Sequence, residues 1–412
     1  MASTPARGIR LWWQSGQPWI WLTAGAVALC IIMVVGVIGL IAVRGLAHFW
    51  PSEIIAFTYV ADEGERQPML ARLVERSETA AARLGAATPE GVGLIERWKV
   101  KTANRDLTGE DFRWLLAAQV EAVERPLDAV VIERTEWGDF HGYVRGLEQG
   151  GERLPLEGDA LWAALDEHLA HKQALAAQVR RLERGAIGAV NARMERLRRA
   201  ERRADEAALV EIRAERGRLE AEHSQYMQEL AALEQQLSRD TLLLATADGT
   251  EIRLPLKRVV DVLRPNGMSL ADKFLWFGHR MLRFVSEDPR EANTEGGVFP
   301  AIFGTLLMVL LMSILVTPFG VVAAIYLREY ATQGPVTQAI RIAVSNLAGV
   351  PSVVYGIFGL GFFVYFLGGN LDQLFFSDAL PAPTFGTPGV LWASLTLALL
   401  TVPVVIVATE EG

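Results

Sequence analysis

VFPAIFGTLLMVLLMSILVTPFGVVAAIYL, residues 298–327, holds no charged side chain over its whole length. A helix needs about 20 apolar residues to cross the hydrocarbon core of a bilayer, which is about 30 Å thick at about 1.5 Å of rise per residue. This run is long enough. Three more lie outward from it. Residues 11–43 are uncharged and 19–43 almost wholly apolar; 342–371 are uncharged; 379–409 form a fourth run whose most apolar part is 390–408. Four such runs are rare in soluble folds, so buried core helices are the weaker reading.

The charge is distributed as if the chain met two solvents. Of 40 Lys and Arg, only Arg7, Arg10, Arg328 and Arg341 fall outside residues 44–297. Of 48 Asp and Glu, only Glu329, Asp372, Asp378, Glu410 and Glu411 do. The middle of the chain therefore carries nearly all the charge and is water-soluble. A formal net charge of -8 points to no nucleic-acid partner. Cys30 is the only cysteine, so no disulfide can form within the chain and the soluble region must hold itself together by its own core.

The first span reads as an uncleaved signal anchor. Its apolar stretch is about twice a signal-peptide core and lacks a convincing small-x-small cleavage site. Trp12, Trp13, Trp19 and Trp21 stand where an interfacial aromatic belt would be. Arg7 and Arg10 place residues 1–18 in the cytoplasm, because basic residues in short loops stay inside. The loop from Arg328 to Arg341 has two arginines against one glutamate, whereas residues 370–388 have two aspartates and no basic residue. Alternation from span 19–43 then puts residues 44–297 outside, in the periplasm of a Gram-negative cell, and expects a bacterial inner-membrane protein.

The soluble middle divides by pattern. Residues 44–157 read as β-rich: Phe57–Val60 runs into the turn signal Ala61-Asp62-Glu63-Gly64, and residues 129–134 and 140–144 flank a hairpin loop at Glu136-Trp137-Gly138-Asp139. Trp98, Val100, Phe112 and Trp114 are candidate core. Residues 158–240 hold no proline and are rich in Ala, Leu, Glu, Arg and Gln. Leu209, Ile212, Leu219, Tyr226, Leu230, Leu233 and Leu237 follow heptad spacing with Arg216 and His223 as polar interruptions, and Val190, Met194, Leu197, Ala204 and Ala208 follow a similar spacing with a slip near 208, which predicts a coiled-coil insertion. Gly185 and Gly188 are its expected break, either the turn of an antiparallel hairpin or a bend in a helix that pairs between protomers. Residues 241–264 form a second β segment, with Ala247-Asp248-Gly249 a strong turn signal. Residues 268–286 set Leu270, Phe274, Leu275, Phe277 and Leu282 against Lys273, His279, Arg280 and Arg283, an amphipathic helix suited to the membrane surface, the alternative being a core helix of the β domain.

Several features point away from chemistry. His168 and His171 are one helical turn apart but lack a third ligand, and are expected to be surface histidines. The basic run at residues 198–203 is interleaved with acids, a solvated helix face. No paired carboxylates or nucleophile–base set stands out, so the chain is not expected to be an enzyme. No G-x-x-x-x-G-K-[ST] occurs, so the chain does not itself cradle nucleotide phosphates. No ionisable group lies at the middle of a span, which argues against a proton-driven carrier. Pro318, Pro351 and Pro403 fall in the spans with Gly304, Gly320, Gly349, Gly356, Gly359 and Gly361, the composition of a closely packed helix bundle.

From residue 293 the order of motifs is specific. Asn-Thr-Glu-Gly-Gly-Val-Phe-Pro (293–300) is followed by Thr-Pro-Phe-Gly-Val-Val-Ala-Ala-Ile-Tyr-Leu-Arg-Glu-Tyr (317–330), Asn-Leu-Ala-Gly-Val-Pro-Ser-Val-Val-Tyr-Gly-Ile-Phe-Gly-Leu (346–360) and Leu-Thr-Leu-Ala-Leu-Leu-Thr-Val-Pro-Val-Val-Ile-Val-Ala-Thr-Glu-Glu (395–411). About 120 residues here resemble the phosphate ABC-transporter permease of the PstA type, and the long region after the first span resembles the enlarged proteobacterial branch. The resemblance implies a mainly α membrane protein with four transmembrane helices of an ABC importer permease fold, and a periplasmic β plus coiled-coil insertion between the first and second. It implies a second, PstC-like permease subunit, a cytoplasmic ATPase dimer that uses the ATP, and a periplasmic phosphate-binding protein, with no cofactor or metal bound by this chain. Residues 298–412 would be the start of the permease transmembrane domain, with two further spans of the family missing. Thr409, Glu410, Glu411 and Gly412 would open the ATPase-coupling loop, and the 412-residue form is expected not to support transport. Ser345, Asn346, Ser352 and Tyr355 are candidate path-lining groups. The competing readings are a membrane scaffold or sensor built on the periplasmic coiled coil, and a permease for another oxyanion.

Overall fold

The computed structural model describes residues 13, 15–61, 64–80, 94–202 and 204–411. Arg7, Arg10, Trp12, Asp62, Glu63, Arg203 and Gly412 lie outside them. In chain order the main elements are α1 (Gln17–Ala47), β1 (Ile55–Val60), β2 (Arg66–Ala80), β3 (Leu94–Lys101), β4 (Phe112–Leu116), β5 (Val120–Glu124), β6 (Ala129–Arg134), β7 (Phe140–Gln149) and β8 (Glu152–Arg153). Then come α2 (Gly158–Arg181), α3 (Gly188–Glu201), α4 (Glu206–Leu237), β9 (Asp240–Ala245), β10 (Glu251–Pro255), β11 (Val259–Leu263) and α5 (Leu270–Ser286). The last elements are β12 (Pro289–Arg290), β13 (Glu295–Gly296), α6 (Phe299–Tyr330), α7 (Pro335–Ala348), α8 (Ser352–Phe375) and α9 (Val390–Glu411). The chain falls into two compact units. One is residues 1–131, 140–143 and 263–283, the other 132–139, 144–262 and 284–412.

The first unit holds α1 and an antiparallel sheet in the order β4-β3-β2-β1-β5. β1 pairs with β2 from Ile55↔Ala71 to Val60↔Arg66, so the alternate residues Ile55 and Phe57 face inward. They pack with Ala71, Val100 and Leu115 into a small core. Val100 is core as its pattern predicts, but Phe112 and Trp114 are not. They stay about half exposed on an edge strand, where they carry cations instead: Arg97 lies 4.3 Å from the Trp114 ring centre and Lys99 5.3 Å from that of Phe112. Strand alternation explains the split, since Phe112 and Trp114 share the face opposite Leu115. Asn266 ties the unit together, accepting from the Ile54 amide at 3.0 Å and donating to the Ile54 and Pro126 carbonyls at 2.8 Å each.

In the second unit α2 runs into α3 through a π-helical stretch, Leu182–Ile187, without reversing. The reversal comes after Glu201, and α4 packs back along both helices as an antiparallel hairpin. The glycines therefore do not make the turn. A glycine inside a helix costs about 1 kcal/mol relative to alanine, which packing on either side offsets. Asp205 starts the returning helix: it is extended, and its carboxylate accepts from the Ala208 amide at 2.9 Å. Asp205→Ala is expected to cost about 1 kcal/mol and to speed limited proteolysis between residues 201 and 206, while Asp205→Ser leaves both near wild type. The residues at heptad spacing, Val190, Leu219 and Leu230 foremost, are those withdrawn from solvent.

α2 also buries Leu161, Leu165 and Leus at 169 and 175 along one face. His168 shares this side. It is not a surface histidine, because its Nδ1 stands 2.6 Å from Oδ2 of Asp240 and its side chain is 16% exposed. The turn of the β9–β10 hairpin is held by Asp248, whose carboxylate accepts from the Thr246 hydroxyl and, at 3.1 Å, from the Thr250 amide. Those bonds hold its carboxyl below the usual carboxylate range. A depressed folded value means the turn's stabilisation is present above the ordinary carboxylate pKa and is lost as pH falls through the lowered one. Amide exchange at Thr250, corrected for intrinsic pH dependence, should accelerate on acidification and lose that dependence in Asp248→Asn.

Candidate functional site

Among the described residues four helices are long and apolar enough to cross a membrane: α1, α6, α8 and α9. α1 buries none of its apolar window, while α6, α8 and α9 bury 11%, 22% and 28% of theirs. The last three therefore form a packed group, yet leave most of their apolar surface for lipid or for other helices.

Close approach of these helices depends on glycines and small hydroxyls. A Cβ on Gly320 of α6 would stand 2.9 Å from Cβ of Val405 on α9. Ser394 of α9 is fully buried and donates to the Met308 carbonyl of α6 at 3.2 Å. Contacts that advance together along both helices, Met308 with Ser394 and Gly320 with Val405, make α6 and α9 parallel. Gly359 of α8 abuts Thr396 of α9, Phe363 stacks on Trp392 at 6.2 Å, and Gly368 abuts Phe385. These contacts run in opposite senses, so α8 is antiparallel to α9. α6, α8 and α9 thus run in alternating directions.

The third apolar run is not one helix. It divides at Gly349-Val350-Pro351 into α7 and α8. Proline has no amide hydrogen and drives the preceding residue out of helical conformation, and Gly349 closes α7 with its amide on the Asn346 carbonyl at 3.0 Å. The span is accordingly Ser352–Phe375, shifted from the 342–371 of the sequence pattern. Pro318 and Pro403, in contrast, are accommodated inside α6 and α9.

The four candidate path residues cluster at this corner without sharing one environment. Ser345 and Asn346 are exposed on α7, and Ser352 is exposed at the start of α8. Tyr355 is buried, and its hydroxyl donates to the Leu347 carbonyl at 2.9 Å, pinning α8 to the end of α7. At the C-terminal end of α9, Thr409 donates to the Val405 carbonyl at 2.7 Å, and Glu411 is exposed. The Glu410 carboxylate lies 3.6 Å from Arg341 of α7, its carbonyl accepts from Arg328 of α6, and Arg341 also donates to the Leu327 carbonyl at 3.0 Å. The only two basic residues beyond residue 297 thus converge on Glu410.

Two polar devices were not visible in the sequence. At the opposite end, Asp372 of α8 is 1% exposed, and its carboxylate accepts from the amides of Phe385 at 2.9 Å and Gly386 at 2.7 Å. Trp392 donates to the Phe385 carbonyl at 2.7 Å, so the α8–α9 loop is fastened on both sides. The second lies just before α6. Glu291 accepts from the amides of Trp137 and Gly138 at 3.1 and 3.2 Å, Arg290 pairs with Glu133, and Asp288 meets Arg184 at 3.1 Å. This short segment is fastened to the β6–β7 loop and to the helical hairpin. An aspartate and an Asn-Thr-Glu-Gly-Gly motif were the only traces, and neither reveals a partner so distant in sequence.

Among the described residues no three His, Cys, Asp or Glu side chains gather as a metal site. The arrangement is a helix bundle with fastened ends.

Comparison with known proteins agrees with the resemblance drawn from the motifs. The chain is 30% identical over 158 residues to the phosphate transport system permease protein PstA of Mycobacterium leprae, covering 38% of this chain and 44% of that protein. It is 32% identical over 134 residues to PstA of Yersinia pestis, covering 32% of this chain and 39% of that protein. PstC of Mesorhizobium japonicum matches at 29% over 144 residues, 33% of this chain and 43% of that protein. The chain thus spans less than half the length of the curated relatives it matches. No family model matches it, and no solved structure matches it. With four spanning helices and permease relatives, the chain is a multi-pass membrane protein similar to PstA-type phosphate permeases.

Proposed function

We propose that this chain is a membrane permease subunit of a phosphate ABC importer, with α6, α8 and α9 forming part of the translocation path beside a second, PstC-like permease. The observation that carries this reading is the similarity to PstA-type permeases at about the 30% level. The packing of α6, α8 and α9 is in keeping with it. Their largely unburied apolar surface calls for further helices, and a second permease would supply them. A separate cytoplasmic ATPase uses the nucleotide, docking at the end where Glu410 gathers Arg328 and Arg341, and a periplasmic binding protein delivers phosphate at the other. The bundle lies in the bacterial inner membrane with residues 44–297 in the periplasm.

Two measurements test this. Alkaline phosphatase fused near Gly150 should be active, and a green fluorescent fusion near Gln333 should fluoresce; the reverse pattern overturns the orientation. Deleting the gene in its own host should reduce uptake of radiolabelled phosphate at low external concentration. Unchanged phosphate uptake with lost uptake of another oxyanion would transfer the same fold to that substrate.

A further inference from the structure

A cleft in the first unit carries a charge pattern that transport does not use. It has a volume of 360 Å³, and Trp50, Glu53, Arg76, Trp98, Arg125 and Lys273 are among its walls. Three cations therefore face one carboxylate. Glu53 is engaged by Arg125 at 3.0 Å, which leaves the charge of two cations in surplus. Lys273 is half-buried; its backbone amide donates to the Ser269 carbonyl at 3.0 Å, while its ammonium has no hydrogen-bond or ion-pair partner among the described residues. Arg76 lies over the Trp98 ring at 4.9 Å. Stacking occupies the face of a guanidinium and leaves its N–H rim for an acceptor, the geometry that suits a phosphate oxygen.

The position of the cleft is as informative as its charge. Trp50 comes three residues after the end of the spanning helix α1, and its ring meets Phe274 at 5.1 Å and Phe277 at 6.2 Å on α5. α5 begins on a reciprocal cap, in which Ser269 and Asp272 each bond the other's backbone amide at 3.2 Å. It buries none of its residues and exposes Leu275 and Leu282 at more than 70% each. A helix of this kind lies in the interface between headgroups and acyl chains. Lys273 projects from it into the cleft. The opening is thus at headgroup depth, and its size suits a small polar headgroup.

We propose that this cleft is a binding site for an anionic phosphate group, held by Arg76, Lys273 and Arg125, at the membrane–water interface beside α1. The group can arrive on an acidic phospholipid or as free inorganic phosphate, and both satisfy the same donors. The site is independent of the path through α6, α8 and α9, so it stands whether or not the chain conducts phosphate.

The full chain in neutral detergent is titrated with phosphatidylglycerol, and separately with phosphatidylcholine, by native mass spectrometry, and with inorganic phosphate by calorimetry. Lys273→Gln and Arg76→Gln should each weaken binding about fivefold, the effect of one basic residue near an anionic surface. Glu53→Gln should strengthen it, because the competing carboxylate is gone. That opposite sign keeps the test decisive should either cation variant fold poorly. Phosphatidylglycerol binding with this pattern and no phosphate response identifies a lipid site. The same pattern with inorganic phosphate identifies a free-anion site. Binding of either ligand that ignores all three substitutions, phosphatidylcholine bound as tightly as phosphatidylglycerol, or no binding at all overturns the proposal.

Discussion

Gly297→Ala is expected to be the most damaging added methyl among the described glycines. A Cβ at this position would run into the carbonyl oxygen of Glu287 and stand 2.6 Å from its carbonyl carbon. Both are backbone atoms, so no side chain can swing aside. Gly297 also donates to the Asp288 carbonyl at 3.1 Å, which fixes it against the facing strand. Its neighbour Gly296 has φ 87°, a conformation only glycine adopts freely, and three consecutive non-glycine residues, Glu291, Ala292 and Asn293, already have positive φ. The segment has no slack with which to absorb the intrusion. Overpacking usually costs about 1–3 kcal/mol, and a backbone collision belongs at or above the upper end. The expected result is a clearly lowered thermal midpoint in detergent. With it should come loss of the Glu291 clamp, read as faster exchange of the Trp137 and Gly138 amides. Gly304→Ala, where a Cβ would meet open space, is the control and should leave both near wild type.

Asp372→Ala comes second. Removing the carboxylate leaves the amides of Phe385 and Gly386 without their acceptor at a site that is 1% exposed. Hydrogen bonds to a charged group contribute about 1.5–3 kcal/mol each, and an orphaned buried amide adds its desolvation. A loss of about 3 kcal/mol or more is expected, seen as a fall in the midpoint of unfolding in denaturing detergent. Asp372→Asn keeps one acceptor oxygen and should lose less. Equal stability of the alanine variant and wild type would mean the α8–α9 loop is held by Trp392 alone.

Both sites show where sequence reading stopped. Gly297 belongs to a quoted motif, but nothing in Gly-Gly says that the first needs a left-handed backbone and the second a neighbour's carbonyl. Asp372 counted only as one of two acids in a loop without basic residues. Its role depends on Phe385, thirteen residues on and on the other side of a proline-rich loop. Of the two histidines, His171 is exposed as expected, but His168 looks solvent-facing only until β9 brings Asp240 beside it. Phe112 and Trp114 are core candidates by residue type, whereas strand alternation sends both to the other face.

What the sequence determined by itself was the part governed by solvent and by local chain chemistry. Uncharged runs gave the spans because no polar side chain tolerates hydrocarbon without a partner. Heptad spacing gave the residues that line the helical hairpin, and the resemblance to PstA-type permeases lay in the order of motifs from residue 293 on. Tertiary structure alone decided which helices run parallel, where the third span begins, where the hairpin turns, and which charges meet. Those outcomes rest on steric fit and on acceptors brought in from distant segments, as when Glu291 finds the amides of Trp137 and Gly138. A pattern read along the chain carries no term for such an encounter.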